Sequence, residues 1–271
     1  MATEARNPRS YGLDKMSAQE IVRLMNEEEA AVLRALHEAE ESLATVVEKA
    51  ADSFLKGGRI IYVGAGTSGR IAVMDAAEMP PTFGITSDRF IGITPGGPEA
   101  MFKAVEMAED DEHAAISAVN DLGLTRDDIL IGLAASGRTP FVVAAIRQAR
   151  RKGVWTCGIA NNKNSPLQEE ADFAVILDTG PEILTGSTRL KAGTAQKLAL
   201  NRISTGAMVL SGKVIENLMV DVKPTNQKLR ERCVRILCEL RPVTYDEGWS
   251  LLEANGWSIR SALENANSLV P

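Results

Sequence analysis

Short apolar runs alternate with amphipathic stretches through the middle of the chain. The runs have the length of buried strands and lie at Ile60–Val63, Phe90–Ile93, Ile129–Leu133, Val154–Ile159 and Phe173–Leu177. The stretches between them have helical periodicity, as in Ile71–Ala77 and Pro140–Arg150. Five strands separated by helices predict a parallel sheet with helices on both of its faces.

A helical region precedes this α/β pattern. Residues 1–15 are polar and aperiodic, which predicts an arm without regular structure. Ser17 with Glu20 three residues later is typical of a capping box, and the helical pattern that starts there continues to Gly57-Gly58.

Helices are also predicted after the last apolar run. Helical periodicity covers Ala192–Leu210, Asn226–Leu240 and a compact tail, Tyr245–Ala266, which is interrupted at Asn255-Gly256. We therefore expect an α/β fold with an N-terminal arm and helices (1–57), a sheet domain (58–222) and a small C-terminal helical region (223–271).

Composition excludes several classes of protein. The 271 residues include 30 Lys plus Arg and 36 Asp plus Glu, for a net charge of −6. This acidic balance argues against nucleic acid or an anionic membrane as the main partner. No apolar run reaches the ~18 residues of a membrane span, and the first residues lack the apolar core of a secretory signal. Three cysteines without metal-like spacing favour the reducing cytoplasm.

Histidine is scarce, which restricts the available chemistry. His37 and His113 are the only histidines of the chain, so histidine triads and histidine-rich metal sites are nearly excluded. Acid–base chemistry would depend on carboxylates, Lys or Tyr, and we expect neither a metal nor an organic cofactor.

A glycine loop follows the first predicted strand. The segment Gly64-Ala65-Gly66-Thr67-Ser68-Gly69 matches the dinucleotide-binding fingerprint, in which backbone N–H groups bind phosphate at a helix N-terminus. The second strand, however, ends without the carboxylate that would hold a ribose. The hydroxyls of Thr67 and Ser68 suit a monophosphate better than a pyrophosphate. The alternative is that the glycines serve only the geometry of the turn.

Two further hydroxyl-rich segments follow strands of the same sheet. Ser136 and Thr139 flank Arg138 immediately before Pro140, which suits the first position of a helix. Because ligands of open parallel sheets bind at the carboxyl ends of the strands, two such loops favour a phosphate-ester pocket, although helix capping would also explain the hydroxyls. The third segment contains Ser187, Thr188, Arg189 and Lys191. It is either a further part of such a pocket or a solvated loop.

Two acidic segments contain candidate acid–base groups. Glu78 precedes Pro80-Pro81, a pair that we expect to end the helix starting at the glycine loop. By composition alone Glu78 would be a surface residue, and the acidic group Glu106–Glu112 would be the solvated face of a helix.

Several long motifs together resemble the N-acetylmuramic acid 6-phosphate etherases. The resemblance runs in order from Thr3 to about Arg232 and depends on these segments: Gly64–Arg70, Asp75–Gly84, Gly96–Ala100, Ala104–Asp110, Ala134–Pro140, Leu184–Lys197, Asn217–Val222 and Thr225–Arg230. It implies the sugar isomerase (SIS) fold, with a five-stranded parallel sheet between helices. Ala77 and Met79 depart from the family's usual residues, a difference that leaves the chemistry intact, and the tail beyond Arg232 lies outside the resemblance.

The resemblance implies a reaction and its residues. The family cleaves the lactyl ether of N-acetylmuramic acid 6-phosphate during cell-wall sugar recycling, and its catalytic glutamates fall on Glu78 and Glu109. Glu106 competes for the second position, and only the resemblance chooses Glu109. The residues expected to bind the sugar phosphate or the lactyl carboxylate are Gly66, Thr67, Ser68, Ser136, Arg138, Thr139, Ser187, Thr188, Arg189 and Lys191.

The resemblance also implies a homodimer with shared active sites, in which the polar arm around Asn7 wraps a partner subunit. Three other classes remain open. They are a sugar-phosphate isomerase on the same fold, a non-catalytic sensor resembling glucokinase regulatory protein, and a DNA-binding regulator. The last is disfavoured because the region before Gly57 is acidic, as at Asn26–Glu29.

Overall fold

A computed structural model describes residues 1–103, 105 and 107–265. The strands of its main sheet are β1 (Ile60–Gly64), β2 (Phe90–Ile93), β3 (Ile129–Ala134), β4 (Trp155–Ala160) and β5 (Phe173–Ile176). The helices are α1 (Ala18–Glu28), α2 (Ala30–Glu38), α3 (Glu40–Leu55), α4 (Gly66–Phe83), α5 (Glu112–Asp121), α6 (Pro140–Arg151), α7 (Pro166–Glu170), α8 (Lys191–Leu210), α9 (Gln227–Leu240), α10 (Tyr245–Ala254) and α11 (Ile259–Asn265). A short hairpin is formed by β6 (Val214–Ile215) and β7 (Leu218–Met219).

These elements form two compact units. The larger contains residues 1–77 and 88–207, and the smaller contains residues 78–87 and 208–271. Residues 78–87 belong to the same unit as the C-terminal part of the chain. The sequence pattern does not indicate this grouping. Among the described helices, none combines the length and the apolar character needed to cross a membrane.

The parallel five-stranded sheet of the larger unit confirms the predicted fold class. Its strand order is β2-β1-β3-β4-β5, and every neighbouring pair is parallel. All residues of β1 and β3 are buried, which is why the central strands are continuous apolar runs rather than alternating ones. One face of the sheet packs against α6, where Phe141, Val142 and Ile146 join the core.

The N-terminal region differs in part from the prediction. The capping box of Ser17 and Glu20 is present, and the predicted helical region consists of three successive helices. The arm is not irregular, because it forms three short 3₁₀ turns. Its buried Thr3 exchanges hydrogen bonds with Asn162 of the same chain, at 2.8 Å and 3.3 Å. Long-range polar contacts of this kind order a segment that has no apolar period of its own.

The prediction that Pro80-Pro81 ends its helix is wrong. Both prolines lie inside α4, which continues to Phe83. They fall in its last turn, so the two missing N–H donors affect only the bonds to the carbonyls of Ala76 and Ala77 near the end of the helix. The Gly84 N–H closes the turn by donating to the Pro80 carbonyl at 2.9 Å, with Gly84 at φ +64°.

The smaller unit contains the predicted C-terminal helices. Helices α10 and α11 pack against α9 and are separated at Asn255-Gly256, as the periodicity indicated. Their core includes Leu237, Leu252 and Ile259, all fully buried. The hairpin of β6 and β7 was not predicted, because strands of two residues are too short to show a period.

Candidate active site at the carboxyl ends of the strands

The glycine loop makes a tight turn from β1 into α4. A Cβ on Gly69 would lie 2.4 Å from Thr94 Oγ1 and 2.5 Å from the Gly64 carbonyl oxygen. Gly66, the first residue of α4, has φ +55°. Turn geometry therefore requires glycine at these positions, whether or not the backbone also binds a phosphate.

The two hydroxyl residues of this loop have different surroundings. The buried Ser68 donates from Oγ to Oε1 of Gln196 on α8 at 2.7 Å. Thr67 is partly exposed, and its Cγ2 lies 3.3 Å from the position that a Cβ on Gly193 would occupy. Ser68 thus joins two helices, while Thr67 is the more accessible hydroxyl of the pair.

The second hydroxyl loop lies beside the first. Strands β1 and β3 are neighbours, with Gly64 paired to Leu133, so the residues that follow them leave the same edge of the sheet. Ser136 Oγ accepts a hydrogen bond from the N–H of Arg138 at 3.1 Å. Thr139 is the N-cap residue of α6, yet its side chain makes no capping bond. Capping therefore does not explain Thr139, and the side chain of Arg138 is exposed.

The third segment also reaches the glycine loop. The Thr188 carbonyl oxygen lies 3.4 Å from the position of a Cβ on Gly193, the same glycine that Thr67 packs against. Ser187 and Thr188 are partly exposed and Arg189 is exposed. Residues of the first and third segments thus meet around the start of α4, and the second hydroxyl loop leaves the same edge of the sheet, as expected for the carboxyl end of a parallel sheet.

Lys191 differs from the other predicted binding residues, because its ammonium group already has a partner. Its side chain is only 4% exposed, and Nζ donates to Glu28 Oε2 at 2.5 Å. Asn7 and Arg9 of the N-terminal arm also donate to Glu28, at 2.7 Å and 2.9 Å. Burial raises the pKa of Glu28, but the hydrogen bonds from Lys191 and Asn7 outweigh it and hold that pKa below its ordinary value.

Glu182 is a buried carboxylate that sequence reasoning missed. It accepts hydrogen bonds from the backbone N–H groups of Lys191 and Ala192, at 3.1 Å and 2.9 Å, and so caps the N-terminus of α8. Burial raises its pKa, although these backbone bonds act in the opposite direction. A capping side chain that lies nine residues before its helix has no local sequence signature.

Glu109 lies at the surface of the larger unit, in the 3₁₀ turn Ala108–Asp110. The prediction that this acidic group is the solvated face of a helix is wrong for residues 107–111, since α5 starts only at Glu112, with Asp111 as its N-cap. Glu109 lines a cavity of about 250 Å³ together with Gly66, Arg70 and Lys103. The competing Glu106 lies outside the described residues.

Glu78 is exposed on α4, in the part of that helix that belongs to the smaller unit. Its carbonyl oxygen accepts a hydrogen bond from Thr82 Oγ1 at 2.7 Å. Its carboxylate is therefore available to solvent or to a ligand.

The described part of the chain contains no cluster of three His, Cys, Asp or Glu side chains that could hold a metal ion. The groups at this edge of the sheet are instead hydroxyls, backbone amides, arginines and carboxylates, which can bind an anion and transfer protons.

The fold, with its loops at the carboxyl ends of the strands, is of the SIS type. The family model for the SIS domain matches residues 102–203, and the model for the glucokinase regulatory protein N-terminal SIS domain matches residues 42–150. A putative sugar-phosphate isomerase from Listeria monocytogenes has the same fold, with a TM-score of 0.55 and 22% identity over 73% of this chain and 93% of that one.

Two curated relatives give the particular family. The N-acetylmuramic acid 6-phosphate etherase of Lactobacillus acidophilus is 49% identical over 93% of this chain and 85% of that protein. The etherase of a Geobacillus species is 48% identical over 97% of this chain and 89% of that protein. The chain belongs to the N-acetylmuramic acid 6-phosphate etherase family. The second match spans 263 residues and so includes the tail, which corrects the expectation that the likeness ends near Arg232.

Proposed function

We propose that this chain cleaves the D-lactyl ether of N-acetylmuramic acid 6-phosphate and forms N-acetylglucosamine 6-phosphate and D-lactate. The observation that carries the proposal is near 48% identity to etherases over almost the whole chain. A carbon–oxygen lyase of this type serves the recycling of cell-wall amino sugars.

The reaction requires one base and one acid. In the open-chain sugar the C2 proton is acidified by the adjacent aldehyde, and we assign its removal to Glu109. Glu78 protonates the ether oxygen as the bond from C3 breaks, and D-lactate leaves. Water then adds to C3 of the unsaturated aldehyde and a proton returns to C2, so the net reaction consumes one water. The family resemblance supports this assignment, in which the two roles could be exchanged.

The phosphate is assigned to the loops at the carboxyl ends of β1 and β3. Gly66 and Ser68 supply backbone amides there, since the Ser68 hydroxyl is already bonded to Gln196, and Thr67, Ser136 and Thr139 supply hydroxyls. Ser187 and Thr188 complete the pocket. Arg138 and Arg189 are exposed cations suited to the phosphate or the lactyl carboxylate. Lys191 contributes to the site through Glu28 and the start of α8, since its ammonium is paired.

The enzyme is further proposed to be a cytoplasmic homodimer with shared active sites. Light scattering tests the dimer, and mixing two inactive variants, Glu78→Gln and Glu109→Gln, tests the sharing. If one site takes its two glutamates from different subunits, full exchange should restore about a quarter of wild-type activity, because half of the dimers then contain one intact site. No recovery would place both glutamates in one subunit.

The principal test is D-lactate release from N-acetylmuramic acid 6-phosphate. Wild-type protein should release lactate, and Glu78→Gln and Glu109→Gln should each lower kcat by at least about 10²-fold, the contribution of a general acid or base. Asp110→Asn, in the same exposed turn as Glu109, is the matched control and should retain activity. Glu106→Gln tests the competing assignment of the second glutamate.

The outcomes separate the other classes. Sugar-phosphate binding without lactate release would overturn the etherase proposal and favour a sensor. Conversion of an aldose phosphate to a ketose phosphate without lactate would indicate an isomerase instead.

A further inference from the structure

The loop between β2 and α5 carries Glu109, and its described residues (94–103, 105 and 107–111) include few buried apolar side chains. Two of its largest apolar side chains, Phe102 and Met107, are 90% and 82% exposed, and Met101 is partly exposed. Only the small residues Pro95 and Ala100 are buried among those described, and Val105 packs over Gly96, where a Cβ would meet Val105 Cγ2 at 2.9 Å. A loop with so little buried apolar surface depends on polar contacts for its conformation.

Arg70 provides polar contacts from outside the loop. It lies in the first turns of α4, directly after the glycine loop. Its Nε donates to the Met101 carbonyl oxygen at 3.2 Å, and its Nη2 donates to the Lys103 carbonyl oxygen at 3.1 Å. The planar guanidinium presents these donors in a fixed geometry, so two bonds restrain both the distance and the orientation of the loop.

Arg70 also lines the cavity that Glu109 and Gly66 border. A single side chain therefore connects the helix of the glycine loop with the loop that carries Glu109. A base is effective only when it stands within hydrogen-bond reach of the proton that it removes.

We propose that Arg70 is a positioning residue, which holds the loop between β2 and α5 at Met101 and Lys103 so that Glu109 stands at the cavity beside the glycine loop. This inference rests on the proposed function, in which Glu109 is the base. It assigns Arg70 no contact with the substrate, unlike an arginine that binds the phosphate directly.

The kinetic test compares Arg70→Gln and Arg70→Lys with Arg126→Gln. The last is a charge-matched control near the opposite edge of the sheet, where Arg126 lies 3.8 Å from the Cβ position of Gly153. Arg70→Gln should lower kcat on the order of 10–100-fold, as expected for a misplaced base, while KM and the inhibition constant of inorganic phosphate change less than about twofold. Arg70→Lys should have a higher kcat than Arg70→Gln, because an ammonium can donate to one of the two carbonyls but lacks the paired donors of a guanidinium.

A rise of KM and of the phosphate inhibition constant with unchanged kcat would overturn the proposal and make Arg70 a phosphate ligand. An unchanged kcat in Arg70→Gln would also overturn it.

Amide hydrogen exchange gives a readout that does not depend on activity. The N–H groups of Phe102 and Lys103 both donate to the Glu99 carbonyl, at 3.0 Å and 3.1 Å. Their exchange should become faster in Arg70→Gln and partly recover in Arg70→Lys, while amides of β1 and β3 remain unchanged. Equal exchange in the loop of wild type and Arg70→Gln would refute the positioning role. If wild type releases no lactate but the loop still loosens, the proposed function fails while the structural part of the inference stands.

Discussion

Replacing Lys191 with Met should destabilise the protein rather than remove a substrate contact. The Lys191 and Glu28 side chains are 4% and 10% exposed, so the substitution leaves a buried carboxylate without its closest cation. Removing one partner of a buried ion pair costs about 3–5 kcal/mol. The remaining donors, Asn7 and Arg9, keep the expected loss near the lower limit, about 3 kcal/mol.

Urea denaturation measures this loss, with Arg189→Met as the control because Arg189 is exposed two residues away. The double variant Glu28→Gln/Lys191→Met should be more stable than Lys191→Met alone, since it no longer buries an unpaired charge. An unchanged denaturation midpoint for Lys191→Met, with a raised KM for the sugar phosphate, would refute this reasoning and return Lys191 to the phosphate site.

The pH dependence gives a second check. Because the folded-state pKa of Glu28 lies below its ordinary value of 4.5, its ion pair contributes full stability above about pH 4.5. That contribution is lost as the pH falls through the folded-state pKa. The difference in stability between wild type and Lys191→Met should therefore shrink on acidification below pH 4.5.

Further substitutions test the glycine loop. Thr67→Val should raise KM for the sugar phosphate at least about tenfold without lowering the denaturation midpoint, because an accessible hydroxyl is lost. Ser68→Ala should instead lower the free energy of unfolding by about 1–3 kcal/mol, because its buried amide partner on α8 loses a donor. A loss of stability in Thr67→Val, with a raised KM but normal stability in Ser68→Ala, would contradict these assignments. Gly69→Ala should lower lactate release by about 10²-fold, since its Cβ would collide with backbone and displace the loop. The control Gly123→Ala, where a Cβ would meet nothing beyond its chain neighbours within 4 Å, should retain activity although its φ of +53° costs some stability.

Local pattern was sufficient to predict most of the fold. The five apolar runs became the five strands with bounds within about a residue, because a strand between two layers of helices is apolar on both faces and so can be recognised from its own residues alone. The capping box of Ser17 and Glu20 was equally predictable, since both partners lie within one turn. The order of glycines and hydroxyls after the strands also indicated which edge of the sheet bears the candidate site.

Tertiary structure decided which of the candidate residues are free to bind. Lys191 and Glu28 are 163 residues apart, and nothing in the local sequence of either one signals the pair. Ser68 and Thr67 are adjacent and chemically alike, yet only the packing of α4 against α8 makes one a buried structural donor and leaves the other accessible. The sequence determined the elements through periodicity, which is local. The fate of each polar side chain depended on burial and hydrogen-bond partners, which are brought together only by the fold.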